Sequence, residues 1–485
     1  MSVKSSSKRD VSSPVLLWFR RDLRLLANPA LHHAAEVARS NGSVVVPLFV
    51  LDPSILGAGR ANRMAFLYEA LRALRTSGVP LVVRFGLSNE VVPAAAAEFG
   101  AGQVVCAGDF SPLGRARDER VETVLGRSGV AFQRIGSPYL VNPGTVRKGD
   151  GTPFKVFTPF RRVWEQRIDE AAELYSVPRS PGSSDLTVPW LAADDRQALG
   201  MIPDAPDGCS ATLPVASEDA AMDRLQQFVE DHLRTYDVQR NNPAADATSR
   251  LSADLKFGLL HPAQIVPFLA SGGVGADVFR SELGWREFYA DVLWHHPRSA
   301  HHSFNASMEA IEVNAGRVAE MQFDAWSRGL TGYPFVDAGM RQLLAEGWMH
   351  NRMRMVTASF LVKDLHIDWR RGAAWFMEHL VDADVASNQH GWQWTAGTGT
   401  DAAPYYRIFN PISQGKKFDP TGAYIRRYVP ELKALDDTDI HEPWNANGGG
   451  LFGGVEGYPA PIVDHAVERR EALDRLAALK VRPSA

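Results

Sequence analysis

The chain has 485 residues, 45% of them apolar and 22% charged, which is enough for two or three cores of ordinary domain size and excludes disorder over most of its length. A formal charge of -4 excludes a uniformly basic surface, so a polyanion would have to meet a local basic patch. Two cysteines, Cys106 and Cys209, are too few for a disulfide scaffold and have no spacing suited to a metal, in keeping with a reducing compartment.

Residues Met1 to Ser13 lack the apolar stretch of a secretory signal, and no later apolar run is long enough to cross a bilayer, so a cytoplasmic protein is expected. Residues 14–136 read as an α/β domain with a doubly wound parallel sheet. Short β-branched runs (Val15 to Phe19, Val44 to Val50, Leu81 to Arg84, Val104 to Ala107) alternate there with Ala-rich helical patterns such as Ala61 to Arg75. Trp18-Phe19-Arg20-Arg21-Asp22 stands where a Gly-x-Gly-x-x-Gly turn would bind a dinucleotide, which disfavours a nucleotide-dependent oxidoreductase built on this sheet. Residues 137–215 turn rich in Pro, Gly, Ser and Asp, with a helical piece near Phe160 to Leu174, and read as an interdomain linker. Residues 216–485 carry periodic helical segments and most of the tryptophans, so the second domain is expected to be mainly α-helical.

Four segments of the second domain could carry chemistry. Thr248-Ser249-Arg250-Leu251-Ser252 gathers three hydroxyls and a guanidinium ahead of a helix from Ala253 to Leu259, a good place for a phosphate, although ordinary capping explains one hydroxyl. In the helix around Phe279 to Leu293, Glu282, Trp285, Arg286 and Tyr289 share one stripe; that suits stacking on a base, or a surface ion pair with packed aromatics. Trp348 to Lys363 offers Asn351, Arg354 and Met355, with Asp382 or Asp384 as an acidic partner for Arg354. From Asn388 to Pro404, Trp392 and Trp394 stand two apart among small residues, either as a Gly-rich loop propped by tryptophans or as a place where a flat group approaches. Beyond it, Arg407, Lys416, Lys417, Arg426 and Arg427 interleave with Tyr405, Tyr406, Phe409, Phe418 and Tyr424, a solvated face or a nucleic-acid footprint.

These segments together resemble the photolyase and cryptochrome flavoproteins, most closely the microbial photolyases of cyclobutane pyrimidine dimers. The likeness runs from Val15 to about Lys480 and is densest from Gly332-Tyr333-Pro334 through Trp348-Met349-His350-Asn351-Arg352 to Asn410-Pro411. It implies light-driven repair of UV-damaged DNA by electron transfer from excited reduced FAD to a flipped-out lesion. Tyr236, Thr248, Ser249, Arg250, Leu251, Ser252, Arg286, Arg354, Asp382, Asp384 and Asn388 would hold FAD. Glu282, Trp285, Asn351, Met355 and Trp394 would form the lesion pocket, and Arg240, Arg407 and Lys417 would hold DNA phosphates. No metal, no membrane and no obligate protein partner is implied, and a monomer is expected. A cryptochrome-like blue-light sensor without repair activity is the alternative; Asn388, Trp285, Met355 and the short C-terminal segment after Gly457 side with repair.

The chain departs from the family pattern twice. Of three tryptophans that usually photoreduce FAD, Trp392 and Trp369 are present, while Gly316 aligns with the outermost; Trp375, where a relative has tyrosine, is the candidate substitute donor. For a second, antenna chromophore, folate-binding relatives have Asn-Glu where this chain has Leu113-Gly114. Leu51 to Leu56 and Gly108 to Gly114 look more like the branch that binds 8-hydroxy-5-deazaflavin, with Asp109 matching one ligand and Ser111 replacing a glutamate.

Overall fold

The computed structural model describes residues 13–56, 61–175, 199–270, 272–400, 406–446 and 455–481. Five strands, β1 (Val15–Phe19), β2 (Val45–Leu51), β3 (Val82–Phe85), β4 (Gln103–Cys106) and β5 (Ala131–Arg134), form one parallel sheet in the order β3-β2-β1-β4-β5. The fifth strand was not marked by an apolar run. It lies at the sheet edge with the mixed sequence Ala-Phe-Gln-Arg, which needs no continuous hydrophobic pattern.

Every residue of β1 is buried, and the two-residue period divides its side chains between two cores. Val15, Leu17 and Phe19 join a core that continues into the helical part, whereas Leu16 and Trp18 pack with Val92, Ala95, Phe99, Val121 and Leu125. Both faces are therefore covered, as a doubly wound sheet requires. The strand order reverses between β1 and β4, so their carboxyl ends flank the crevice where such sheets place functional loops. Arg20, Arg21 and Asp22 leave β1 there; Gly108 and Asp109 leave β4, ahead of helix α1 (Pro112–Arg127).

The connection beyond Ser137 is built into the helical core. Helix α2 (Phe157–Glu165) buries Phe157, Phe160 and Trp164 on one stripe. After the short α3 (Ser252–Phe257) comes the long α4 (Val274–His295), and Glu287 on α4 accepts hydrogen bonds from Trp164 Nε1 (2.6 Å), Leu140 N (2.5 Å) and Val141 N (3.0 Å). Burial pushes the Glu287 carboxyl up to about 6 against the pull of those donors.

Helices α5 (Arg317–Ser327), α6 (Asn351–Lys363), α7 (Trp369–His379) and α8 (Val385–Ala396) make a second core around Trp326, Phe360, Phe376 and Trp392. The approach of α6, α7 and α8 depends on Gly372, where a Cβ would lie 2.1 Å from Trp392 Cη2 and 2.5 Å from Leu361 Cδ2. A loop is one of the two readings of the run from Asn388; the structure makes it helix as far as Ala396, closed by Gly397 at φ 80. Asp384 caps that helix by accepting from Ala386 N (3.0 Å) and Ser387 N (3.2 Å), and packing overrides the weak helix preference of Gly391 and its neighbours. The remainder of that run from Asp401 to Pro404, and Tyr405 after it, lie outside the described residues. A final helix, α9 (His465–Val481), closes the chain, and no helix among the described residues is long and apolar enough to cross a membrane.

Candidate functional site

The charges gather around Asp384. Its carboxylate meets Arg21 from the end of β1 (2.9 Å) and Lys256 from α3 (3.5 Å). Burial disfavours its charge, yet Lys256, Arg21 and Arg286 outweigh that and hold the carboxyl far below the usual range. The same three cations between them also feel Asp109 and Glu287, so Asp384 sits in a dense buried network of both charges. Arg286 donates to Pro138 O (2.9 Å) and Leu255 O (3.2 Å) with its guanidinium 4.6 Å from the Tyr139 ring, which fixes it in place.

Arg354 takes Asp382 as its partner, not Asp384, at 2.7 Å, while its Nε donates to Met349 O (2.8 Å). Asp382 Oδ1 is buried and has no hydrogen-bond partner within the protein. Asn388 donates from Nδ2 to Ala373 O (3.1 Å) and Gln389 Oε1 (2.8 Å). In the segment before α3, no side chain caps the helix, so the hydroxyls are not used up by capping. Thr248 Oγ1 is buried without a partner, Ser249 Oγ lies 3.5 Å from Leu251 N, and Ser252 Oγ accepts from Trp348 Nε1 (3.2 Å). Leu251 is buried in the core. Arg250, at φ 51, is held by Asp246 (2.7 Å) and Glu346 (3.0 Å) over the Trp348 ring. Tyr236 is wedged edge-on between Phe228 and Phe279.

On α4 the expected stripe forms. Glu282 pairs with Arg240 at 2.8 Å, both half-buried. One turn on, the Trp285 indole stacks on Phe157 with centroids 3.8 Å apart and planes 13° from parallel. Tyr289 lies between Trp285 and His390 of α8. Arg352, beside Asn351 and absent from the sequence-based set, belongs to the same surface. It donates to Asn241 Oδ1 (2.7 Å), sits 4.3 Å over Phe418 and has its pKa lowered by burial and by Arg240. Asn351 is exposed and Met355 half-buried at the start of α6. Trp394 carries the Arg407 guanidinium 4.8 Å above its ring, and exposed Lys417 lies over Phe418 at 5.2 Å.

Trp392 is buried, with edge-on contacts to Phe376 (4.9 Å) and Trp326 (6.1 Å). Trp326 leads to Phe323 (5.5 Å) and Phe323 to Trp375 (6.1 Å), so ring contacts connect Trp392 with Trp375 through two residues the sequence did not mark. Trp369, at the start of α7, is also buried. Gly316 is the exposed N-cap of α5, where an added Cβ would meet nothing. In the α/β part, Asp109 accepts from Ser111 N (3.1 Å), Ser111 Oγ (2.9 Å) and Arg117 (3.2 Å), and burial is outweighed by Arg117, Arg21 and Arg20, which bring it to about 2.

Residues 15–179 match the family described as DNA photolyase, and residues 279–478 match the FAD binding domain of DNA photolyase. A deoxyribodipyrimidine photo-lyase of Agrobacterium fabrum is 39% identical over 97% of this chain and 98% of its own. The chain belongs to the DNA photolyase family. Its fold agrees with a bacterial class III photolyase from Agrobacterium tumefaciens (TM-score 0.84, 37% identity, 99% and 100% of the two chains) and with a Synechocystis cryptochrome (TM-score 0.81, 27% identity, 96% and 99%). The photolyase fold therefore does not by itself separate repair from sensing.

An FAD-binding domain of photolyase type needs buried acceptors and donors left over by the protein itself, and this one has them. Asp382 Oδ1 and Thr248 Oγ1 are buried with no hydrogen-bond partner among the described residues. Arg21 was legible as half of a charged pair directly after an apolar strand, Arg20-Arg21 following Val15 to Phe19. Phe157 had no such signal, since it lies in the stretch read as linker.

Proposed function

We propose that this photolyase-family protein repairs cyclobutane pyrimidine dimers in UV-damaged DNA under blue light, as a cytoplasmic monomer, with the lesion flipped out of the duplex. Reduced FAD, when bound and excited, would lend the electron that opens the cyclobutane ring and would regain it from the split pyrimidines. The observation that carries the reading is the α4 stripe: an indole with one face already stacked sits one turn from a half-buried carboxylate–guanidinium pair. Trp285 offers its other side to a flat, apolar lesion, and Trp394 supplies a second wall. Glu282 accepts hydrogen bonds from the lesion's polar edge, and Asn351 and Met355 line the pocket without a protonatable group. Arg240, Arg407 and Lys417 bind backbone phosphates, and Arg352 joins them.

When FAD is bound, Asp382 oriented by Arg354 would accept a hydrogen bond from it, Asp384 and Arg286 would hold it, and Tyr236 and Thr248 to Ser252 would hold its phosphates and ribityl chain. Asn388 places an amide, which cannot protonate a flavin as a carboxylic acid does. Trp392 and Trp369 would carry electrons inward, and the ring contacts through Trp326 and Phe323 support Trp375 as the outer donor in place of the tryptophan missing at Gly316. An antenna of deazaflavin type rests on the likeness of Leu51 to Leu56 and Gly108 to Gly114, and the folate pattern is disfavoured because a Cβ at Gly114 would lie 2.1 Å from the Asp109 carboxyl carbon unless that side chain moves. Extraction of the pigment and its absorption spectrum tests this, and a folate spectrum overturns it.

The repair reading is tested by illuminating the reduced protein with DNA containing a thymine dimer and measuring restored thymines by chromatography. Wild type restores them, and Trp285→Ala and Glu282→Ala slow the reaction. Unchanged dimers despite bound reduced FAD would favour a light sensor.

A further inference from the structure

The Trp285 indole does not stand alone. The Phe157 ring lies flat against it at 3.8 Å and 13°, while Phe288 meets both rings edge-on, at 5.8 Å from Phe157 and 5.7 Å from Trp285. Phe157 opens α2, and α2 is pinned to α4 at two levels. Trp164 Nε1 donates to buried Glu287 (2.6 Å), and Arg161 pairs with Asp277 (2.6 Å). Phe157 is itself only 9% exposed, so its ring cannot swing away. An indole on an exposed helix face would sample several χ1 and χ2 wells; one clamped against a fixed ring keeps a single plane.

We infer that Phe157 is a positioning residue for lesion recognition: it holds the Trp285 ring in the one plane on which a flipped-out dimer can stack. The inference rests on the reading of Trp285 as a wall of the lesion pocket. It predicts that the flatness of residue 157, and not merely its volume, sets the preference for damaged over undamaged DNA. Without the flat face the indole must be ordered on binding, which costs about 0.5–1.5 kcal/mol, so lesion binding should weaken roughly two- to tenfold.

The test compares Phe157→Leu, which keeps apolar bulk, and Phe157→Tyr, which keeps the ring, with Trp285→Ala and the double variant Phe157→Leu/Trp285→Ala. Each FAD-loaded protein is titrated with an oligonucleotide carrying one thymine dimer and with its undamaged twin. Phe157→Leu should lower affinity for the dimer oligonucleotide and leave the twin unchanged, Phe157→Tyr should restore it, and Phe157→Leu should have no further effect once Trp285 is gone. A loss that persists in the Trp285→Ala background, or falls equally on both oligonucleotides, shows a merely structural role and overturns the inference. Unchanged lesion affinity in Phe157→Leu while Trp285→Ala loses it overturns the inference alone; unchanged affinity in Trp285→Ala overturns the wall reading beneath it.

Discussion

Asp382 has 3% of its side chain exposed and one oxygen engaged by Arg354, so its charge is tolerated only because that guanidinium is there. In Asp382→Asn the size is kept and the pairing charge lost. We expect about 1.5–3 kcal/mol less stability in urea unfolding, the scale of a hydrogen bond to a charged group since Arg354 keeps 27% exposure, and a lower flavin-to-protein absorbance ratio. His390 gives a pH prediction. It stacks on Tyr289, meets Ser299 Oγ at 3.0 Å and is buried, and burial brings its pKa from 6.5 to about 4. The unfolded imidazole takes up a proton below about pH 6.5 and the folded one only near 4, so acidification across that window favours the unfolded chain. His390→Gln should therefore show a shallower loss of stability than wild type between those two pH values, read from unfolding midpoints; parallel curves would contradict the burial account.

At the scale of elements, the junction of α6, α7 and α8 turns on a missing side chain. Gly372 lets the Trp392 ring lie against the α7 backbone, and a methyl group there must push the indole or the helix aside. Overpacking of this sort costs about 1–3 kcal/mol, and we expect Gly372→Ala to lower the melting temperature while Trp392→Phe in the same background recovers part of the loss. The helix around Trp392 also shows what was legible. Two tryptophans at i and i+2 could be assigned to different neighbours from spacing alone, and they do differ: Trp392 is buried in the core and Trp394 lies under Arg407. That the segment is helix at all could not be read from Gly391 and its small neighbours, because the cap from Asp384 and the packing of α7 decide it.

For the whole molecule, a net charge of -4 means that DNA must meet a local basic patch, and the proposed patch is Arg240, Arg352, Arg407 and Lys417. Each phosphate contact removed should reduce the slope of log affinity against log salt by about 0.9. Arg240→Ala and Lys417→Ala are expected to do so equally for damaged and undamaged DNA in fluorescence titrations over a salt series. An unchanged slope would remove that residue from the phosphate contacts. Arg240 has a second partner in Glu282, so its loss should also disturb the lesion pocket, which Lys417→Ala should not.

The sequence alone determined the class of the fold, since buried parallel strands read as apolar runs, as β1 and β2 do from end to end, while β3 keeps Val82 and Val83 beside Arg84 and β4 keeps Val104 to Cys106 after Gln103. It also determined the local stripe of Glu282, Trp285, Arg286 and Tyr289, because helical spacing places them together whatever they pack against. Only the tertiary structure decided who faces them: Arg240 on Glu282, Phe157 on Trp285, Arg21 and Lys256 on Asp384, and Trp326 between Trp392 and Trp375. These partners come from segments far apart in the chain. Periodicity fixes which side of an element a residue occupies, but the neighbour across the gap is chosen by how helices dock, and that choice depends on packing summed over the whole core.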